Sequence, residues 1–149
     1  LVYKHQFPLG TPYPNVIGHT AKANQVFKFQ KLLVDKTGVG DALIDEMREI
    51  GIESVEGLFL TDRWKEEIFT HLKLSMEQKR LSILGDDPQL IAQINEQQYE
   101  YLKPKTAQER IHLKFWHPTG RNDDQLLALT LACYASKEKE PEGTLMRAW

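Results

Sequence analysis

The spacing of apolar positions changes several times along the chain, and each change marks an element. "KLLVD", Lys31 to Asp35, is a short apolar run ending on a carboxylate, which predicts a buried strand. "GDALIDEMREIG" follows as a helix, with Leu43, Ile44 and Met47 on one face and Gly51 as its stop. "IESVEGLFL" predicts a second strand. In "TDRWKEEIFTHLKL", Trp64, Ile68 and Leu72 recur at helical spacing behind the capping candidates Thr61 and Asp62. "DDPQLIAQINEQQ" predicts a helix with Asp87 as N-cap and Pro88 in the first turn. "YEYLKP" and "RIHLKFW" alternate as two strands of a hairpin across "KTAQE", and "DDQLLALTLACYAS" is the most apolar helix. At the start, "LVYKHQF" predicts a strand, "PLGTPYP" a loop broken by prolines, and residues 15–28 a weak helix. "RLSIL" predicts one more short strand. Strands alternating with helices indicate an α/β fold over residues 1–137, with 138–149 as a charged, frayed tail.

Composition narrows the function classes. The 149 residues suffice for one domain with a core, and 41% hydrophobic with 27% charged residues is ordinary for a soluble globular chain. No apolar run approaches the ~20 residues a membrane span needs, and no signal peptide is visible. The single cysteine, Cys133, excludes an internal disulfide and fits a reducing compartment; it falls on the apolar face of the last helix as an inert thiol. The formal net charge of -2 gives no global basic footprint, so any nucleic-acid contact needs a local patch. His71 and His112 lack the paired spacing of a zinc site.

Two stretches carry possible chemistry. In "LLVDKTGVGDALIDEM", Asp35 ends a strand and a glycine-rich turn opens a helix. Open α/β sheets place their sites at the carboxyl ends of strands, where Asp35 would lie. The bland alternative is a side chain that bonds the turn amides. The pattern argues against a phosphate loop, because "TGVGD" lacks the required spacing and Lys36 precedes the glycines. In "HPTGRNDDQLLALTLACYA", Asn122 or Asp123 caps a helix whose first turn is acidic. The helix dipole accounts for one carboxylate. Two adjacent ones repel each other, and make more sense beside a divalent cation; hard oxygen donors suit Mg2+ or Mn2+.

Taken in order, these elements resemble the nuclease domain of the large terminase subunit of tailed viruses and prophages, which is ribonuclease-H-like and related to RuvC-type resolvases. That family shows a strand ending in a carboxylate, then a glycine-rich turn and helix, here "LLVDKTGVGDALIDEM". A strand and a helix opening with threonine and a basic residue follow, here "VEGLFLTDRWKEEIFTHL". A short strand, a helix and a hairpin come third, and His-Asp-Asp leads into the last helix, here "NDDQLLALTLA". The resemblance runs from about Lys31 to Ala135 and rests on the ordered set.

The resemblance implies a mixed sheet with flanking helices and a metal-dependent DNA endonuclease that cuts concatemeric DNA during packaging. It implies two Mg2+ or Mn2+ ions held by Asp35 and Asp124, with Asp123 as a third carboxylate and Asn122 positioning a ligand. Double-stranded DNA would be the substrate, the terminase small subunit and the portal protein the partners, and the host-cell cytoplasm the location. Lys103, Lys105, Arg110 and Lys114 of the hairpin are the candidate DNA contacts. Two departures stand out. "LVYKHQFPLG" holds no carboxylate, whereas the family's first catalytic aspartate lies on its first strand; Leu1 is therefore read as falling after that strand and after an upstream ATPase domain. Asn122 replaces the usual histidine, a role His117 is near enough in sequence to take. The alternatives are a RuvC-like junction resolvase and a degenerate domain that only binds DNA or a portal protein.

Overall fold

The computed structural model describes residues 1–38, 40–83, 85–103, 111–118, 120 and 122–137. Helix α1 (Tyr13–Phe27) is followed by strand β1 (Leu32–Asp35), helix α2 (Ala42–Glu49), strand β2 (Val55–Leu58) and helix α3 (Asp62–Glu77). Helix α4 (Pro88–Glu96), strands β3 (Gln98–Leu102) and β4 (His112–Trp116), and helix α5 (Asp124–Ala135) complete the chain. The class is mixed α/β, as the alternation of periods predicts.

β1 and β2 pair in parallel, with Leu32 opposite Val55 and Asp35 opposite Leu58. The connection through α2 is short because α2 stops cleanly. Gly51 takes a φ of +89°, its N–H bonds Arg48 O, and the next amide, Ile52, bonds Met47 O at 3.0 Å. This is the paired C-terminal bonding that a left-handed glycine permits. Gly57 in β2 has a different reason: an added Cβ would lie 2.8 Å from Lys36 Cδ and 3.0 Å from Ile44 Cγ1, so α2 packs directly onto the strand backbone.

The period-2 geometry of β1 sorts its side chains between two cores. Leu33 joins the larger one with Ile68, Leu72, Leu90, Phe115, Leu126 and Leu129. Leu32 and Val34 pack on the other side against the smaller cluster of Ile17, Ile44, Met47, Ile52 and Val55. β1 is thus covered on both faces, which is why its sequence reads as a continuous apolar run. Ile68 and Leu72 are buried and Trp64 packs against the same core, as their spacing predicts. Cys133 is buried and unpaired.

Three expectations need correction. The strand expected at "LVYKHQF" is not formed: residues 1–7 have no ladder partner among the described residues. The alternation that suggests it is real, but it serves side-chain contacts. Tyr3 and His5 stack on His19 of α1, and Phe7 meets its ring edge-on. Lys4 and Gln6 instead reach Gln125 on α5. "RLSIL" forms no strand over residues 80–83, where Leu81 and Ile83 pack against the larger core as irregular chain, and residue 84 lies outside the described residues. In place of the expected mixed sheet, the described residues form two separate pairs, β1–β2 parallel and β3–β4 antiparallel. The "KTAQE" turn lies outside the described residues, as does the tail from 138 onward. Among the described residues, no helix is long and apolar enough to cross a membrane.

Candidate metal centre

Asp35 sits at the carboxyl end of the parallel pair. It shares a face of β1 with Leu33, two residues earlier, and that face is the one covered by the larger core and α5. The alternation therefore directs Asp35 toward the side where α5 begins. Asp35 and Asp124 both line one groove of about 1680 Å³ that runs between β1, the first turn of α5 and residues 1–7. Two carboxylates 89 positions apart in the chain are brought to one surface by the packing of α5 on β1.

The bland reading of Asp35 is half present. Its Oδ1 accepts a hydrogen bond from the Thr37 N–H at 2.9 Å, while Thr37 Oγ1 accepts from Leu60 N–H at 3.1 Å. The β1 turn is thereby tied to the end of β2. The other carboxylate oxygen, Oδ2, has no bonded partner among the described residues. Lys36 is turned away, in an ion pair with Asp41 at 2.5 Å.

Asp123 occupies the N-cap of α5, and Asp124 is its first helical residue. Of the two capping candidates, Asn122 and Asp123, it is thus Asp123 that holds the cap position, yet its carboxylate makes no cap bond. Asp124 is exposed, and its side chain likewise has no bonded partner among the described residues. Asp123 does not line the groove, which takes Asp35 and Asp124 of the three aspartates. Asn122 precedes the helix and is exposed.

The first turn of α5 is fixed from outside. Gln93 of α4 accepts from Leu126 N–H. Lys4 donates to Gln125 Oε1 at 3.0 Å, and Gln125 Nε2 donates to Gln6 Oε1 at 2.7 Å. Lys4 also pairs with Asp87, and that bond, helped by Leu90 N–H, holds the Asp87 carboxyl below the usual carboxylate range. Sequence inspection missed Lys4, Thr37 and Gln93. Thr37 had a signal in the Asp-x-Thr turn; Lys4 and Gln93 belong to no motif.

His117 does not face the two aspartates. Its side chain is buried 3.6 Å from Glu96 and does not line the groove, so the role of the missing motif histidine does not fall to it here. Glu66 anchors the hairpin, accepting from His112 Nδ1 at 2.9 Å and Leu113 N–H at 3.1 Å. Lys103 and Lys114 are exposed, but Lys114 stands opposite Glu100 across the hairpin. Lys105 and Arg110 lie outside the described residues.

The donor set matches a hard divalent cation in kind: carboxylate oxygens of Asp35 and Asp124 on one groove, without side-chain partners there among the described residues. It is incomplete in number, since among the described residues no three His, Cys, Asp or Glu side chains gather closely enough to hold a metal ion.

A solved crystal structure of the large terminase nuclease from thermophilic phage G20c, with bound cobalt, is similar to this chain at a TM-score of 0.63 and 20% identity. The chain carries the fold of a large terminase nuclease. The match covers 87% of this chain and 64% of that one, so the chain spans about two thirds of that nuclease's length or slightly less. No family model matches the sequence. No curated protein matches it either.

Proposed function

We propose that this chain is the DNA-cutting domain of a viral packaging terminase large subunit, a ribonuclease-H-like, metal-dependent endonuclease acting on double-stranded DNA. The observation that carries this reading is that Asp35 and Asp124 both line one groove, in a chain with that fold. A bound pair of Mg2+ or Mn2+ ions would supply a nucleophilic water and neutralise the leaving oxygen. The chain's own part is positional. Asp35, held by Thr37, offers its outward oxygen from the strand end; Asp124 offers its carboxylate from the helix start, with Asp123 beside it and Asn122 at the rim. The third carboxylate that such a site needs is proposed to come from sequence preceding Leu1, as is the ATPase domain. β1 pairs along one edge only among the described residues, and apolar side chains of β1 and α5 line the groove beside it, including Leu33, Leu127 and Leu131. This is a surface suited to a further strand. Residues 1–137 form the nuclease domain in this reading, and 138–149 a tail. The small subunit, the portal protein and the host cytoplasm belong to the same proposal.

A non-catalytic, DNA-binding domain is the second reading, favoured by the absence of a three-donor cluster among the described residues. Mn2+ titration followed by water-proton relaxation separates the two. The nuclease reading expects a weak site that Asp35→Asn and Asp124→Asn each abolish, and poor plasmid nicking by this chain alone. No Mn2+ site, or one indifferent to both substitutions, would sink it.

A further inference from the structure

The chain that leaves β2 keeps alternating past the strand end. Leu58 and Leu60 pack against the larger core, and Phe59 between them is 52% exposed. The turn is tied on both sides of it. Thr61 N–H bonds Phe59 O at 2.9 Å, and Leu60 N–H bonds Thr37 Oγ1 at 3.1 Å. The Lys36 ammonium stands 5.2 Å from the centre of the Phe59 ring, a cation–π distance. Phe59 also lines a cleft of about 280 Å³, together with Thr61 and with Arg63, Trp64 and Glu67 of α3. No residue of this cleft lines the groove of Asp35 and Asp124. It opens where β2 ends and α3 begins, at the carboxyl end of the parallel pair, the usual place for a ligand in an open α/β sheet.

The charged groups of this surface differ in their commitments. Glu67 accepts from the Tyr134 hydroxyl, and Lys36 is paired with Asp41. Arg63 is exposed and makes no hydrogen bond or ion pair among the described residues. Asp62, its neighbour in sequence, does not line the cleft. The start of α3 is not itself the feature, because Thr61 already accepts from Trp64 N–H. What the cleft presents is an uncommitted guanidinium and an exposed aromatic ring on one concave surface. A guanidinium matches a phosphodiester, which it can bond through two N–H groups. An aromatic ring matches the face of a base, whichever base it is. A duplex shows base faces only at its ends, and the cleft is no larger than the smallest ligand sites, about 300 Å³. The two groups together suit an unpaired nucleotide.

We propose that Phe59 and Arg63 form a subsite for one unpaired nucleotide of a DNA strand, with Phe59 stacking on the base and Arg63 bonding the phosphate. This rests on the DNA-acting reading above but not on the cation, since neither residue is offered as a metal ligand. The subsite adjoins the turn after Asp35 through Lys36 and the Thr37–Leu60 bond, so a strand held there lies beside the strand end that carries Asp35.

The test is fluorescence anisotropy with the full chain in EDTA, using two labelled probes, a single-stranded oligothymidylate and a blunt duplex of equal length. EDTA makes the outcome independent of any metal site. The parent should bind the single strand more tightly. Phe59→Ala should weaken that binding roughly five- to a hundredfold, the cost of one lost base stack, and leave duplex binding unchanged. Phe59→Trp should retain it. Arg63→Ala should weaken it as well and lower the slope of log affinity against log salt by roughly 0.7, one phosphate on a single strand. Both side chains are exposed, so the melting temperature should hold. Phe59→Leu, which keeps apolar bulk without the ring, takes the place of the alanine variant if that one melts lower. A parent that binds the duplex as tightly as the single strand overturns the subsite, as does a ringless variant that keeps its single-strand affinity or loses both probes equally. A parent that binds neither probe overturns the DNA-acting reading and the subsite with it. Single-strand binding that depends on Phe59, in a chain without a Mn2+ site, upholds the subsite and sinks the endonuclease reading alone.

Discussion

Replacing Asp35 by Asn and, separately, by Ala divides its two roles. The Thr37 N–H bonds one carboxylate oxygen of Asp35, and Asn retains an oxygen at that place. Asp35→Asn therefore keeps the turn, and the stability of the metal-free chain should move by less than about 0.5 kcal/mol, the usual scale of a substitution that breaks no contact. Asp35→Ala loses the bond, at a cost of about 1–2 kcal/mol for a charge-assisted bond at a half-buried site. For a chain of this length each kcal/mol lowers the melting temperature by about 2–4 °C. Mn2+ should then separate the Asn variant from the parent. At ten times its dissociation constant a ligand stabilises the parent by about 1.4 kcal/mol, RT times the logarithm of eleven. Asp35→Asn should show no such gain, because a neutral amide oxygen is a poorer donor to a hard cation. Differential scanning fluorimetry with and without Mn2+, at one protein concentration, gives both readings. If the Asn variant melts as low as the Ala variant without metal, the side chain is chiefly a turn support. If the Asn variant still gains the full Mn2+ increment, the carboxylate is no part of the site.

Gly57→Ala should destabilise the chain by about 1–2 kcal/mol in urea unfolding: the new methyl overlaps Ile44 of the core, an overpacking cost of about 1–3 kcal/mol, offset by about 0.5–1 kcal/mol from the stiffer unfolded chain; a gain in stability would show that α2 is not tightly seated. Burial, and then its bond to Glu67, push the half-buried Tyr134 hydroxyl up to about 12, above the ordinary tyrosine value. Its raised value means that its contribution to stability is intact below about pH 10, the unfolded value, and is lost as pH rises toward 12; Tyr134→Phe should remove that part of the alkaline loss, and an unchanged alkaline limb would refute the assignment. On the hairpin, replacing Lys103, Lys105 and Arg110 by Ala should lower the slope of log DNA affinity against log salt by roughly 0.9 per lost phosphate contact, leaving Mn2+ affinity unchanged; an unaltered slope would mean that DNA runs elsewhere.

Much of the fold is legible because burial on one or both faces leaves a period in the sequence. α2, α3 and α4 follow their predicted stops and caps: Gly51, Thr61 and Asp87 each make the bond that their residue type favours. The N-terminal segment mimics a strand for an instructive reason. A period of two reports that alternate side chains face different surroundings, and here they do, with aromatic rings toward His19 and Lys4 and Gln6 toward α5. A strand needs in addition a neighbour to receive its backbone groups, and no pattern within seven residues can report whether that neighbour exists. Gln93 is illegible on other grounds. A polar residue on the apolar side of a helix looks like an interruption until its partner, an amide 33 residues later, is known.

The candidate site divides along the same line. That Asp35 ends a strand and that two aspartates open a helix are both evident in the chain. Which face Asp35 takes is also implicit, because it lies two residues after Leu33. What no local pattern holds is that the Leu33 face is the one α5 covers, and so that Asp124 arrives on the same groove. The charges then argue for a purpose. Asp124 gains from the α5 dipole, an effect of about 0.3–1 kcal/mol at an exposed helix start. Asp123 forgoes its cap bond, and Asp35 leaves an oxygen unbonded on the same side. Asp35 Oδ2 and the Asp124 carboxylate are thus the two acidic groups that the packing of α5 on β1 sets along one groove, and neither has a side chain of the described residues opposite it, which is the arrangement that the proposed cation reading uses.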